Sequence, residues 1–358
     1  MKLLWLDLNS SYAHSSLALP ALHAQIADDT TIEWCIVSAT INENTGMVVS
    51  RIHKHRPDII AATNWLFNHE QLLHIISRAK ALLPHCCIVL GGPEFLGNNE
   101  AFLRKNKFVN GVFRGEGEEV FPIWLKVWNH PVNEWNQISG LCYLDESDQY
   151  QDNGIARVMN FSQLVSPEKS RFFNWSKPFV QLETTRGCFN TCAFCVSGGE
   201  KPVRTISLEA IRERLNVIHQ HGIKNVRVLD RTFNYNNKRA KELLHLFREY
   251  APDICFHLEI HPALLSEELK EELAILPNGL LHLEAGIQSL REPVLEKSRR
   301  IGKLSDALQG LKYLCSLKNM ETHADLIAGL PLYHLSEIFE DVRTLAEYGA
   351  GEIQLESL

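Results

Sequence analysis

Apolar and polar positions along this chain fall into two long blocks in which short apolar runs alternate with segments of three-and-four spacing. In the first block, residues 1–130, KLLWLDL, TIEWCIVSA, DIIAATNW and CIVLGG are rich in large apolar and β-branched residues and read as strands. Between them SSLALPALHAQI, TGMVVSRIHKHR and HEQLLHIISRAKALL carry helical spacing, and GVFRGEGEEVFPIWLKVW adds a short strand, a glycine turn and a helix. This α/β alternation predicts an N-terminal doubly wound parallel sheet. Residues 131–178 break the pattern and read as a linker with a small hairpin, LCYL and ARVMN being short strand candidates around the polar run DESDQYQDNG. The second block, residues 179–358, restores the alternation with FVQLETT, NVRVLDR, CFHLEI, LLHLEAGI, THADLIAGL and EIQLESL as strands. Six such repeats predict a partial (β/α)6 barrel of the TIM type, whose reacting groups sit at the carboxyl ends of the strands. The last strand has no covering helix, and an exposed apolar edge is a liability. The sequence is therefore expected to be C-terminally truncated, or its edge to be covered from elsewhere.

Composition narrows the function classes. A chain of 358 residues with 45% hydrophobic residues supports two ordinary cores. The net charge is −7, and the densest basic runs, His53 to Arg56 and Arg299-Arg300, read as solvated helix faces. Bulk nucleic-acid binding is not expected. No apolar run reaches the ~18 residues a membrane span needs, and the N-terminus is too short and too polar-flanked for a signal peptide. Nine cysteines fit a reducing cytoplasm, the location expected here.

Three of those cysteines carry the chemistry. Cys188, Cys192 and Cys195 form C-x3-C-x2-C on the loop that leaves the FVQLETT strand. Thiolates are soft ligands that select iron–sulfur clusters or zinc. A structural zinc site pairs two C-x2-C units, and no second pair exists in this chain. Three thiolates on one loop hold three irons of a cubane and leave the fourth open to a substrate or cosubstrate. The other six cysteines are scattered and read as small buried hydrophobes.

With Ala193 and Phe194 before the third thiol, the loop matches C-x3-C-x-φ-C, φ being aromatic. In this it resembles the radical S-adenosylmethionine (SAM) superfamily. The resemblance implies a 4Fe–4S cluster on Cys188, Cys192 and Cys195, with the amino and carboxylate groups of SAM on the open iron. It implies one-electron cleavage of the sulfonium to methionine and a 5′-deoxyadenosyl radical, with Phe194 against the adenine. At the second strand of the barrel, Asp230 stands where the family often places a glycine-glycine-glutamate turn for the methionine amino group; a helix N-cap is the plain alternative. Ser197-Gly198-Gly199-Glu200 spells a similar motif but lies in the cysteine loop. Glu259 and His261 end the third strand. Glu284, Gln288 and Ser289, in EAGIQS, resemble the ribose- and carboxylate-contacting region, and Ile327 and Gly329, in DLIAGLP, the adenine-contacting segment. Any one of these polar side chains alone also fits a barrel-interior hydrogen bonder.

In the first block the carboxyl-end turns are Asn9 to His14, Thr63 to Trp65, Gly91 to Glu94 and Arg114 to Glu118. Each alone fits an ordinary cap. Together ATN, LGGPEF and FRGEGEEVF resemble the cobalamin-binding domain that precedes many radical SAM modules. The resemblance assigns Asn9, His14, Thr63, Gly91, Gly92, Gly115 and Glu116 to cobalamin binding. It departs from the usual pattern in lacking D-x-H-x-x-G, the source of the histidine below cobalt in many such proteins. His14 is the histidine nearest the right face.

The expected function is thus reductive cleavage of SAM coupled to cobalamin-dependent methyl transfer or C–C bond formation. The substrate is an unidentified small molecule or peptide, and the electron comes from a reductant such as flavodoxin or ferredoxin. The rival expectations are a cobalamin-independent radical SAM enzyme whose first domain binds substrate, and an inactive iron–sulfur binding protein.

Overall fold

In the computed structural model the chain divides into two units, Met1–Lys177 and Pro178–Leu358. The structure describes residues 1–14, 16–198 and 200–358; Gly199 of the loop motif lies outside them.

In unit 1, β1 (Lys2–Asn9), α1 (Ala18–Ala24), β2 (Glu33–Thr40), α2 (Thr45–His55), β3 (Ile59–Thr63), α3 (His69–Leu82), β4 (Cys87–Gly91), α4 (Glu100–Lys105), β5 (Gly111–Phe113) and α5 (Val120–Trp124) alternate as the sequence predicts. The strand order is β2-β1-β3-β4-β5, all parallel, and the order reverses between β1 and β3. Alternate residues of one strand serve two cores, because strand side chains point to opposite faces. Leu4, Leu6 and Leu8 pack with Val48 and Ile52 of α2 and with Leu72, Ile75 and Ile76 of α3. Leu3 and Trp5 pack with Leu19 of α1 and with Phe121 and Trp124 of α5.

The stretch expected as a linker belongs to this unit. β6 (Leu141–Leu144) pairs antiparallel with β5, and β7 (Tyr150–Asp152) pairs antiparallel with β6. The second strand is thus the YQD of the polar run, not ARVMN. The turn explains it: Asp145 Oδ1 accepts from the backbone N–H of both Ser147 and Gln149 at 2.9 Å, closing a hairpin within DESDQ. Ala156, from ARVMN, instead makes an isolated bridge to Gly115.

Unit 2 begins with β8 (Val180–Leu182) and a two-residue pairing of β9 (Thr185–Arg186) with β10 (Arg204–Thr205). Then follow α6 (Leu208–Gln220), β11 (Asn225–Val228), α7 (Asn237–Arg248), β12 (Cys255–Ile260), α8 (Glu267–Ala274) and β13 (Leu281–Gln288). After them come α9 (Glu292–Lys297), α10 (Leu304–Ser316), β14 (Glu321–Ala328), α11 (Leu335–Glu347) and β15 (Glu352–Ser357). The order β15-β14-β13-β12-β11-β8 is parallel throughout, the (β/α)6 layout. Strand parity sets its two faces. Phe256, Leu258 and Ile260 of β12 and Leu281, Leu283 and Ile287 of β13 are buried, with Phe256 stacked on Phe247 of α7 at 4.1 Å. The alternate positions, His257, Glu259, His282, Glu284 and Gln288, form a polar face.

Candidate functional site

The cysteine loop leaves β8 on a fixed footing. Asp230, just beyond β11 and 1% exposed, receives the backbone N–H groups of Thr184 and Thr185 on Oδ1 at 2.8 and 2.9 Å and the Thr184 hydroxyl on Oδ2. Burial raises its carboxyl above the ordinary range. The carboxylate is thus hydrogen-bonded to the strand that launches the loop.

Beyond it the loop turns back on itself, the Cys188 N–H donating to the Glu200 carbonyl at 3.0 Å and the Cys195 N–H to the Cys192 carbonyl at 3.3 Å. It docks on residues 298–301, where the Ala193 N–H donates to the Ser298 carbonyl at 2.9 Å and the Ile301 N–H to Asn190 Oδ1 at 3.1 Å. Cys188 and Cys192 are buried and Cys195 half-buried, all three as free thiols. Cys86 and Cys87 are different: burial pushes both thiols up to about 12, so they stay protonated and inert.

Docking also brings in a residue that sequence reasoning misplaced. Arg300 is not on a solvated helix face. Its Nη1 lies 4.0 Å from Cys192 Sγ, and its Nη2 donates to the Gly286 carbonyl of β13. Burial raises the Cys192 thiol, and Arg300 opposes that rise. The donor set therefore fits a thiolate-bound cluster: three free thiols on one loop, with a fixed cation beside one of them. Arg300→Met removes that cation. We expect iron uptake during anaerobic reconstitution to be slower than wild type near neutral pH, with the deficit shrinking as the pH is raised toward 9.

His261 supports the same docking. It is 4% exposed, and its Nε2 pairs with the Ile301 carbonyl at 3.0 Å. Burial first, then Arg300, lowers its ionisation from 6.5 to about 4. The folded state thus holds a neutral ring that the unfolded chain protonates. The stabilisation is complete above pH 6.5 and is lost as the pH falls toward 4, by about 3 kcal/mol. Denaturant titrations of His261→Gln should show a correspondingly shallower loss over that window.

The remaining expected residues of unit 2 divide. Phe194 and Ile327 come together with Val294, Leu330, Tyr333 and Ile338 in one apolar cluster, a wall suited to a flat base. Gly329 closes this segment with φ +90, and the neighbouring Ala328 carbonyl accepts from the Leu358 N–H at 2.9 Å. Gln288 sits at a break in the β13–β14 register with φ 71. Ser289 is fully buried and accepts from the Arg291 N–H at 3.1 Å, beside a network in which Asp341 accepts from Arg291 and Tyr333. Glu284 is also engaged within the protein, its Oε2 lying 2.7 Å from His257 Nε2.

At the carboxyl ends of the unit 1 strands, Asn68 carries the local order, a role with no signal in the sequence. Its amide donates to the Leu8 carbonyl of β1 at 2.9 Å and to the Thr63 carbonyl of β3 at 3.2 Å, bracing the point where strand order reverses. The Asn64 N–H donates to the Gly91 carbonyl at 2.7 Å. Gly92, at φ +115, could carry no Cβ without overlapping the Asn64 carbonyl, and Gly115, at φ +102, none without overlapping that of Ala156. These two glycines accommodate close approach of protein backbone. Glu116 likewise accepts from the Val158 N–H at 2.7 Å. Asn9 donates to Asp7 at 2.8 Å, and the exposed His14 ring lies 2.8 Å from Ser11 Oγ. The same rim presents Tyr12 and Leu66, 75% and 82% exposed, and Trp65 stacked on Phe67 at 6.3 Å. Exposed apolar groups at strand ends suit a large flat ligand such as a corrin.

Comparison with known proteins bears on both units. Residues 182–345 match the radical SAM superfamily and residues 8–125 the B12 binding domain. An uncharacterised methyltransferase of Pyrococcus horikoshii is 26% identical over 297 residues, 78% of this chain and 62% of that protein. The cobalamin-dependent radical SAM methyltransferase TokK of Streptomyces tokunonensis is 20% identical over 83% of this chain and 46% of its own length. The chain thus spans about half to three-fifths of these relatives. Among solved structures, the radical SAM methyltransferase TsrM from Kitasatospora setae superposes with a TM-score of 0.73 at 17% identity, over 99% of this chain and 72% of that one. The cobalamin-dependent radical enzyme OxsB gives 0.74 at 17% identity, over 95% of this chain and 51% of that one. At these identities the likeness establishes the fold.

Proposed function

We propose, from the premise that the chain belongs to the radical SAM superfamily and to its cobalamin-binding-domain-containing subgroup, that it is a cobalamin-dependent methyltransferase acting on a small molecule or peptide. The observation that carries this reading is the presence in one chain of a three-thiol loop beside Arg300 in unit 2 and a B12-binding type domain in unit 1. When bound, the 4Fe–4S cluster and SAM supply one-electron activation, and cobalamin supplies a transferable methyl group. Cys188, Cys192 and Cys195 hold the cluster, and Arg300 keeps positive charge beside Cys192. Phe194 and Ile327 flank the adenine from their apolar cluster. The rim of Asn9, Tyr12, His14, Thr63 and Trp65 holds the corrin at the strand-order reversal, where doubly wound sheets take ligands.

A one-electron reductant is required, and a ferredoxin or flavodoxin fits that need. No helix among the described residues is long and apolar enough to cross a membrane. Labile thiolate ligation favours a cytoplasmic setting.

The test is anaerobic reconstitution with iron, sulfide and cobalamin, followed by SAM and a strong reductant. The reading expects about one cobalamin per chain retained through gel filtration and SAM consumed only by the loaded protein. Consumption of SAM without retained cobalamin would favour the cobalamin-independent alternative. Neither cobalamin retention nor SAM consumption would leave only an iron–sulfur binding protein.

A further inference from the structure

The polar face of the unit 2 sheet holds a cluster of side chains that the proposed reaction leaves unused. His257 on β12, Glu284 on β13 and His323 on β14 lie on adjacent strands, and one donor atom from each lies within 4.8 Å of the others. His257 Nε2 is 2.7 Å from Glu284 Oε2, and His323 Nε2 is 3.5 Å from the same oxygen. Asp325 Oδ1 also lies 3.5 Å from His323 Nε2.

Hydrogen bonding within the protein accounts for only part of this cluster. His323 Nδ1 is 2.8 Å from His282 Nε2, so that end of the ring is occupied. Its Nε2 and Asp325 Oδ1 are both buried without a hydrogen-bond partner, in residues only 5% and 9% exposed. Buried polar atoms are rarely left so, and here two carboxyl groups converge on one imidazole nitrogen.

The spacing suggests what is missing. Two donors each about 2.1 Å from a tetrahedral ion stand about 3.4 Å apart, close to both separations around His323 Nε2. The shorter His257–Glu284 contact is a hydrogen bond that opens when an ion replaces the shared proton. We propose that His257, Glu284 and His323 form a site for a divalent first-row transition cation, with Asp325 beside its fourth position. Imidazole nitrogens with carboxylate oxygens suit zinc or iron(II) better than calcium or magnesium. His282 is a positioning residue that fixes the His323 ring through its second nitrogen.

Zinc(II) alone is the probe. It is added to the full chain carrying Cys188→Ala, Cys192→Ala and Cys195→Ala, so that the loop thiols cannot compete. The expected result is about one zinc per chain held against a competing chelator, with X-ray absorption showing nitrogen and oxygen ligands and no sulfur. Adding His257→Ala and His323→Ala should weaken retention at least about a hundredfold, and His282→Ala alone about ten- to hundredfold. Should the histidine variants fail to fold by circular dichroism, the near-isosteric Glu284→Gln takes their place. The proposal is overturned if the histidine-intact chain retains no zinc, or if retention survives loss of the imidazoles or of the Glu284 carboxylate. Because the thiols are absent, the outcome is independent of whether the cluster assignment holds.

Discussion

Cys192→Ala leaves the reconstituted protein without its cluster. Iron falls from about four per chain to background, and with it the conversion of SAM to 5′-deoxyadenosine and methionine. The size of the effect follows from ligand arithmetic. Three thiols serve three irons, and the chain brings no fourth cysteine into the loop to replace a lost one. Cys192 is also the thiol beside Arg300, so its loss removes the thiolate that this guanidinium faces. Unit 1 contains none of the three thiols and keeps its fold, its circular dichroism and its cobalamin. Cys142→Ala, in the unit 1 core, is the matched control and leaves iron unchanged. Iron content and a quenched-flow assay for 5′-deoxyadenosine on both variants check this. Retained iron with retained cleavage in Cys192→Ala would refute the ligand assignment.

The second large effect separates two roles for Asp230. Truncation to alanine strands the Thr184 and Thr185 N–H groups in a dry site where both now donate to Oδ1. At about 1–3 kcal/mol for each unsatisfied group, Asp230→Ala should destabilise unit 2 by roughly 2–6 kcal/mol and free the base of the cysteine loop. Asp230→Asn is different. Its amide oxygen accepts both N–H groups while its NH2 donates to the Thr184 hydroxyl, which now bonds the second carboxylate oxygen. Stability should stay within about 1 kcal/mol of wild type. SAM affinity in the asparagine variant should also be unchanged, because the carboxylate is used inside the protein. A loss of tenfold or more in SAM binding by Asp230→Asn, with stability intact, would restore the ammonium-pairing role that its position first suggests.

What the sequence revealed and what it hid divide along a physical line. The cysteine loop was readable because its ligands are close in sequence, and the strands because side-chain alternation is a local property. Arg300 was not: its paired arginines look solvated until residues 298–301 dock on a loop more than a hundred positions earlier. Asp230 was legible as a carboxylate at a strand end, but its partners lie on the neighbouring strand, and no local pattern encodes register. The same holds for His257, Glu284 and His323, which meet only because β12, β13 and β14 pair in one particular register. In unit 1 the apparent linker became sheet because a five-residue Asp-anchored turn outweighed the polarity of the strand that follows it.

The central claim is that the three thiolates leave one iron open and that SAM occupies it. Electron–nuclear double resonance on the reduced, anaerobically prepared protein, with SAM carrying nitrogen-15 at its amino group, addresses this most directly. A hyperfine coupling from that nitrogen to the cluster is the predicted result. No coupling in a sample with full iron occupancy, or zinc in place of iron, would contradict it.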